Sequence, residues 1–316
     1  MTRFKPLAIL VYLVIAYGLA WMVTLPLWQG GGLHDRLFLP LSVAMMFTPT
    51  VAALTAGKIA EPKGKVLKTL GIAPAAGAWN AIALYSLLAI GLSLVINLGA
   101  LVVGQAFGVF RLDLVNFSAF HDIIAAKLSA AGRPWPAVIP PMPVLVGIQL
   151  IVVVVAAPIN ALAAVGEEIG WRGFLLPRLL PLGTVPAIVV GGVVWALWHA
   201  PLILLGYNYP EGPRWLALVC MSGMCIGLGA VLAWLRLRTK SVWPCAIFHG
   251  AINAGAGVYA LLGMAGDKVD FRQATLLGWT GWIIPAVLAL VLALAWPPRR
   301  QLSDHTASSL PDGSLN

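Results

Sequence analysis

Long apolar runs, broken at near-regular intervals by short polar clusters, make up most of the chain. The runs near 7–28, 37–57, 77–103, 144–177, 184–206, 213–235, 241–263 and 276–296 are each long enough to cross a bilayer core of about 30 Å as a helix. In hydrocarbon every backbone N–H and C=O must be satisfied internally, and a helix does that within one segment. The pattern therefore predicts an all-α fold, a polytopic membrane bundle of about eight transmembrane helices. One sizeable segment outside the membrane precedes the tail, Gln105 to Pro143. In it Phe117, Phe120, Ile124 and Leu128 recur at helical spacing beside His121, Asp122 and Lys127, which predicts a short helix lying in the outer interface. Pro134, Pro136, Pro140, Pro141 and Pro143 then make a stiff entry to the fourth run. The chain divides into 1–143 (three helices and the outer loop), 144–263 (a core of four helices), 264–296 (the last helix) and 297–316. That last stretch is polar and aperiodic, which predicts a disordered cytoplasmic tail.

Composition agrees with the pattern. A chain that is 60% hydrophobic and 10% charged, with a mean hydropathy of +0.91, lies outside the range of soluble domains. The net charge of +9 raises the question of a nucleic-acid partner, and the placement of the charges answers it. Thirteen of the 20 Lys and Arg, among them Lys58, Lys65, Lys68, Arg178, Arg236, Arg238 and Lys240, fall on one side of the predicted bundle. The positive-inside rule makes that side the cytoplasm and puts both termini there, as in a multi-pass protein of the plasma membrane. The basic excess then sets topology and meets anionic membrane lipids; no nucleic acid is implied. Arg3 and Lys5 ahead of Leu7 to Ala20 have the form of a signal peptide, but the run continues uncharged to Trp28, which predicts a retained first helix. Cys220, Cys225 and Cys245 have the spacing of neither a disulfide framework nor a thiolate zinc site, and read as packing residues.

Against this background the stretch AVGEEIGWRGFLLPR, Ala164 to Arg178, stands out. A charge near the middle of a spanning helix costs roughly 2.5 to 3.5 kcal/mol on an insertion scale. Glu167, Glu168 and Arg172 must recover that cost from partners. Glu168 and Arg172 are four apart, acid before base, and share a helical face. Glu167 lies about 100° round the helix and has no base three or four residues on. Two further sites are polar within apolar runs: Trp195 and His199 in WALWHAP, and His249 and Asn253 in FHGAINA, each pair four apart on one face. Counting from the helix ends puts Glu167 about 15 Å, His199 about 22 Å, His249 about 12 Å and Asn253 about 18 Å deep. All four share one slab. A carboxylate with an imidazole can hold and deprotonate a water, while a second imidazole and a carboxamide can donate to an oxygen that becomes negative. Those are the parts for hydrolysing an amide, and no serine or cysteine lies in a nucleophile-like context.

Glu167-Glu168-x-x-x-Arg172, Trp195-x-x-x-His199 and His249-x-x-x-Asn253, in that order on three helices, resemble the CAAX-protease and bacteriocin-processing (CPBP, or Abi) family of intramembrane endopeptidases. The resemblance covers Gly166 to Asn253. It implies that Glu167 and His199 activate the water, that His249 and Asn253 form the oxyanion site, and that Glu168 and Arg172 support them. The substrate implied is a membrane-bound or lipid-anchored peptide. One departure is visible: Trp195 stands where eukaryotic prenyl-protein members usually have phenylalanine. The family has also been described as metal-dependent, and one glutamate with two histidines is a legitimate zinc set. Against zinc, no two of these ligands share a helix and asparagine is a poor ligand, so the expectation is that no cofactor is needed. The competing readings are a zinc-dependent version of the same protease and a non-catalytic immunity or transport protein.

Overall fold

The computed structural model describes residues 6–60, 65–136 and 138–296. The expected tail, 297–316, and the charges Arg3, Lys5 and Lys63 lie outside the described residues. Those residues form a helical bundle, in which the only strand-like pairing is an isolated antiparallel bridge between Leu112 and Gly263. The helices are α1 (Pro6–Gln29), α2 (Phe38–Met46), α3 (Thr48–Ala60), α4 (Val66–Thr69), α5 (Trp79–Ala106), α6 (Ser118–Ala130) and α7 (Met142–Glu168). A π-helical stretch (Ile169–Leu175) leads into α8 (Leu176–Leu179), followed by α9 (Thr184–Trp198), α10 (Ala200–Ile203) and α11 (Arg214–Thr239). The chain then forms α12 (Trp243–Ala254), α13 (Val258–Leu262) and α14 (Ile283–Ala295).

Among the described residues, six helical segments are long and apolar enough to cross a membrane: Pro6–Gln29, Phe38–Ala60, Trp79–Ala106, Met142–Leu182, Arg214–Thr239 and Trp243–Leu262. Two shorter apolar helices, Thr184–Trp198 and Trp279–Ala295, occupy the places of the fifth and eighth expected spans. The protein is a polytopic integral membrane bundle. The outer-interface helix expected around Phe117 to Leu128 is α6, tied down where Ala265 N donates to Ser118 Oγ at 3.0 Å.

Lipid tails are as apolar as leucine, so helices in a membrane associate chiefly by close packing, which small residues permit. Ala16, Ala20, Ala52, Ala53 and Ala56 are fully buried between α1 and α3. A Cβ at Gly250 on α12 would lie 2.5 Å from the Ala161 backbone nitrogen and 2.6 Å from the Ala157 carbonyl oxygen on α7. The α7 and α12 backbones therefore touch, which no larger residue at position 250 would allow. Gly192 on α9 stands in the same way against Ile226 on α11, its would-be Cβ 2.7 Å from that Cα. The first contact joins two of the motif-bearing helices, α7 and α12; the second seats the third, α9, on α11, which also packs against α12.

The structure departs from uninterrupted helices at each motif. The fourth run is α-helical only to Glu168 and widens into the π stretch, a feature frequent at functional sites. The fifth run breaks at His199, which closes α9 before α10 begins. Pro201 is the cause: it has no N–H to donate to Leu197, and its ring clashes with the turn before it. The seventh run breaks one residue after Asn253, into a short 3-10 turn over Gly255–Gly257.

Arg178 and Arg236, which the charge pattern marks as topology-setting, are buried rather than solvated. Arg236 donates from Nε to the Arg172 carbonyl (3.1 Å) and from Nη2 to the Thr69 carbonyl (3.2 Å). It thereby ties the π stretch to the end of α4. Gly71 makes this possible: its φ is +77°, and a Cβ there would lie 3.0 Å from Arg236 Nη2.

Candidate active site

The end of α7 carries two carboxylates that meet different partners. Glu168, with no exposed surface, accepts from Arg172 Nη1 (3.0 Å) and lies 2.8 Å from His249 Nδ1, both through Oε1. The predicted i, i+4 pair is present, and His249 joins it from α12. A carboxylate only accepts, so Nδ1 of His249 carries the proton in this contact. The other oxygen of Glu168, Oε2, is buried with no hydrogen-bond partner.

Glu167 faces a pair of indoles. Its Oε2 accepts from Trp195 Nε1 at 2.7 Å and from Trp171 Nε1 at 3.3 Å. Among the described residues nothing bonds its Oε1. Glu167 is buried as well, at 2% exposed. The two neighbouring acids thus differ in their partners: Glu168 is engaged by a guanidinium and an imidazole, Glu167 through one oxygen by two neutral indoles.

Trp195 holds the rest of the cluster. The Arg172 guanidinium lies over its ring at 4.1 Å, and the His249 ring meets it edge-on at 5.3 Å between centroids. Its carbonyl is 2.9 Å from Nδ1 of His199. Because a carbonyl only accepts, this contact puts the proton on Nδ1 and leaves Nε2 of a neutral His199 with a lone pair. His199 also packs against Trp198, with ring centroids 4.8 Å apart. Trp198 is itself fixed by donating to Thr48 Oγ1 at 3.2 Å.

The glycines of the motif explain how two charges are held here. Gly166, Gly170 and Gly173 form a stripe on the face of the helix away from the carboxylates. A Cβ at Gly170 would lie 2.3 Å from Pro49 Cβ, and one at Gly166 would lie 2.7 Å from the Met46 carbonyl oxygen. The helix is pressed onto α2 and α3 at Gly166 and Gly170, while a Cβ at Gly173 would lie 2.7 Å from the Leu70 carbonyl oxygen; Thr50 donates to the Gly166 carbonyl at 2.6 Å. Tyr12 of α1 stacks on Phe174 at 4.8 Å and meets Trp171 edge-on at 5.7 Å, backing the π stretch.

Of the six residues expected from sequence, Glu167, Glu168, Arg172 and His249 sit in one network, and His199 joins it through Trp195. Asn253 does not. It lies one turn beyond His249, exposed, and among the described residues its carboxamide has no side-chain partner. Motif spacing does not point to Trp171 and Trp195 as donors to Glu167. The available signal is their position, Trp171 four residues after Glu167 and Trp195 four before His199, in a segment where a buried indole N–H needs an acceptor. His121 and Asp122, adjacent acid-base types with no other chemistry near them in sequence, form an exposed pair at 3.3 Å in α6.

A zinc site needs three or four side chains converging on one point. Among the described residues no three His, Cys, Asp or Glu side chains do so.

Residues 145–255 match a family model described as type II CAAX prenyl endopeptidase Rce1-like. A CAAX prenyl protease 2 from Methanococcus maripaludis is 31% identical over 106 residues, which is 32% of this chain and 39% of that relative. The chain thus spans about two fifths of the length of the curated relative it matches.

Proposed function

We propose that this chain, whose residues 145–255 match the Rce1-like CAAX prenyl endopeptidase model, is a CPBP-family intramembrane endopeptidase that cleaves a membrane-associated protein or peptide with a water activated by Glu167 and His199. The observation that carries this reading is the contrast at the end of α7, where Glu168 is engaged by Arg172 and His249 while Glu167 is held through one oxygen by neutral indoles, its other oxygen without a partner among the described residues.

In this reading Oε1 of Glu167 and Nε2 of His199 hold the water, and one of them takes its proton as the oxygen bonds to the peptide carbonyl carbon. The carbonyl π electrons move to its oxygen, which Asn253 and His249 stabilise as donors. The tetrahedral adduct collapses, the C–N bond breaks, and the stored proton passes to the leaving amine. For His249 to donate from Nε2 while Nδ1 is engaged by Glu168, the ring must be an imidazolium. Glu168 is placed as its counter-charge. Arg172 holds Glu168, and through its guanidinium face it holds Trp195. The exposed position of Asn253 suits a residue that meets its partner only when substrate arrives.

Topology follows from the charge distribution, with the termini and the Arg236 to Lys240 turn in the cytoplasm. Reporters fused near Asn208 and near Thr239 should give opposite sides of the membrane.

The activity is tested with protein reconstituted in liposomes and peptides ending in a prenylated or an unprenylated cysteine motif. Cleavage by the wild type and none by Glu167→Gln supports the protease. Comparing the C-termini of membrane proteins with and without the active protein then identifies natural substrates. Equal turnover by wild type and Glu167→Gln overturns the Glu167-activated protease, and none by the wild type across these substrates and the membrane proteome favours a non-catalytic immunity or transport role.

A further inference from the structure

We infer that Trp195, with Trp171, is a positioning residue that selects which oxygen of Glu167 reacts. The inference rests on the protease reading and gives the Trp195 indole a role that motif spacing alone does not assign. The two indole N–H groups converge on one atom, Oε2 of Glu167, at 2.7 and 3.3 Å. They come from different elements, Trp171 from the π stretch of the same chain segment and Trp195 from α9. A carboxylate gripped at one oxygen by two such donors cannot rotate about its terminal bond. Its second oxygen is therefore held in one direction, without a partner among the described residues. Such fixing keeps a reacting group in a near-attack arrangement and removes rotational freedom before the reaction begins.

The indole of Trp195 is itself fixed. The Arg172 guanidinium covers its face at 4.1 Å, the His249 ring meets its edge, and the residue is only 2% exposed. Its backbone carbonyl holds His199 Nδ1 at 2.9 Å. One residue thus sets the direction of both groups assigned to the water, Glu167 through its side chain and His199 through its main chain. Phenylalanine at this position, usual in the eukaryotic prenyl-protein members, would keep the ring contacts and the carbonyl but donate nothing to Glu167. In this chain the indole N–H is an added element, and removing it isolates its contribution.

The sharpest test replaces Trp195 with benzothienylalanine, which substitutes sulfur for the N–H in a ring of nearly the same shape. Trp195→Phe and Trp171→Phe serve as second and third variants. Turnover per folded molecule, KM and thermal unfolding are measured for each on a peptide that the wild type cleaves. A hydrogen bond to a charged group of this kind predicts a kcat lower by on the order of 10- to 100-fold at position 195. KM and the unfolding midpoint stay near wild type. Trp171→Phe, which loses the longer contact, falls less. Wild-type kcat in the benzothienylalanine and Phe variants at 195, beside a dead Glu167→Gln, overturns this inference and leaves the protease reading intact. So does a lower unfolding midpoint with unchanged kcat per folded molecule, which marks a packing role only. A Glu167→Gln protein that still turns over removes the protease reading and this inference together.

Discussion

Nδ1 of His249 lies 2.8 Å from Oε1 of Glu168, the oxygen that also accepts from Arg172. This contact gives Glu168 two duties, holding a buried guanidinium and orienting an imidazole on another helix. Removing one partner of a buried charged network strands the others, and such losses typically cost about 3 to 5 kcal/mol. Glu168→Gln is expected to lower folded yield and the unfolding midpoint in detergent as well as turnover. Glu167→Gln, whose neighbours are neutral indoles, is expected to fold nearly normally and lose turnover alone. Size-exclusion yield and thermal unfolding of the two variants decide; indistinguishable behaviour would mean that the acids do not divide the work in this way.

The glycine stripe makes a second prediction. A methyl group at position 170 would lie 2.3 Å from Pro49 Cβ and 2.6 Å from the Tyr12 hydroxyl oxygen, so the helices must separate to admit it. Overpacking of this kind typically costs about 1 to 3 kcal/mol. Gly170→Ala should lower the unfolding midpoint and, by moving Glu167 away from its indole donors, reduce turnover of the folded fraction. Gly147, where a Cβ would meet nothing within 4 Å, is the control. Equal behaviour of alanine at the two sites would contradict tight packing behind the motif.

Much of this arrangement is legible in the sequence itself. Eight apolar runs predict the bundle, and the Glu168–Arg172 pair follows from helical spacing alone. The partner of His249 is not legible: contact with Glu168 depends on Gly250 letting α12 touch α7, and spacing within one helix says nothing about a neighbour. The helix breaks at His199 and after Asn253 are signalled by Pro201 and by Gly255 and Gly257, which the apolar runs mask. The π stretch has no periodic signature over seven residues. The two indole donors stay hidden because tryptophan in an apolar run reads as packing until its N–H is followed to an acceptor.

The outer loop provides a prediction about pH. Asp113 accepts from the backbone N–H groups of Val115 and Asn116 through Oδ1 and of Ser118 through Oδ2. Hydrogen bonds from Ser118 and from these backbone groups hold its carboxyl down at about 2. A folded-state value below the unfolded one, near 3.9, gives stability that is fully present above the unfolded value and lost as pH falls through the folded one. The turn leading into α6 should therefore resist proteolysis at pH 4 and open near pH 2. Asp113→Asn should open it more readily at pH 7 and remove that step. A pH-independent digestion pattern in both proteins would show that Asp113 does not secure the loop.

The central claim is that His249 and Asn253 stabilise an oxyanion formed by a water that Glu167 and His199 activate. It is tested most directly by the turnover and bound metal of His249→Ala and Asn253→Ala beside the wild type, on one cleaved peptide. Losing a donor that acts only in the transition state costs about 10²- to 10³-fold in kcat, with little change in KM. Losses of that size are expected in both variants, with no stoichiometric metal in any sample. A near-normal Asn253→Ala beside an inactive His249→Ala, with zinc present in the wild type and missing from that inactive variant, would contradict it.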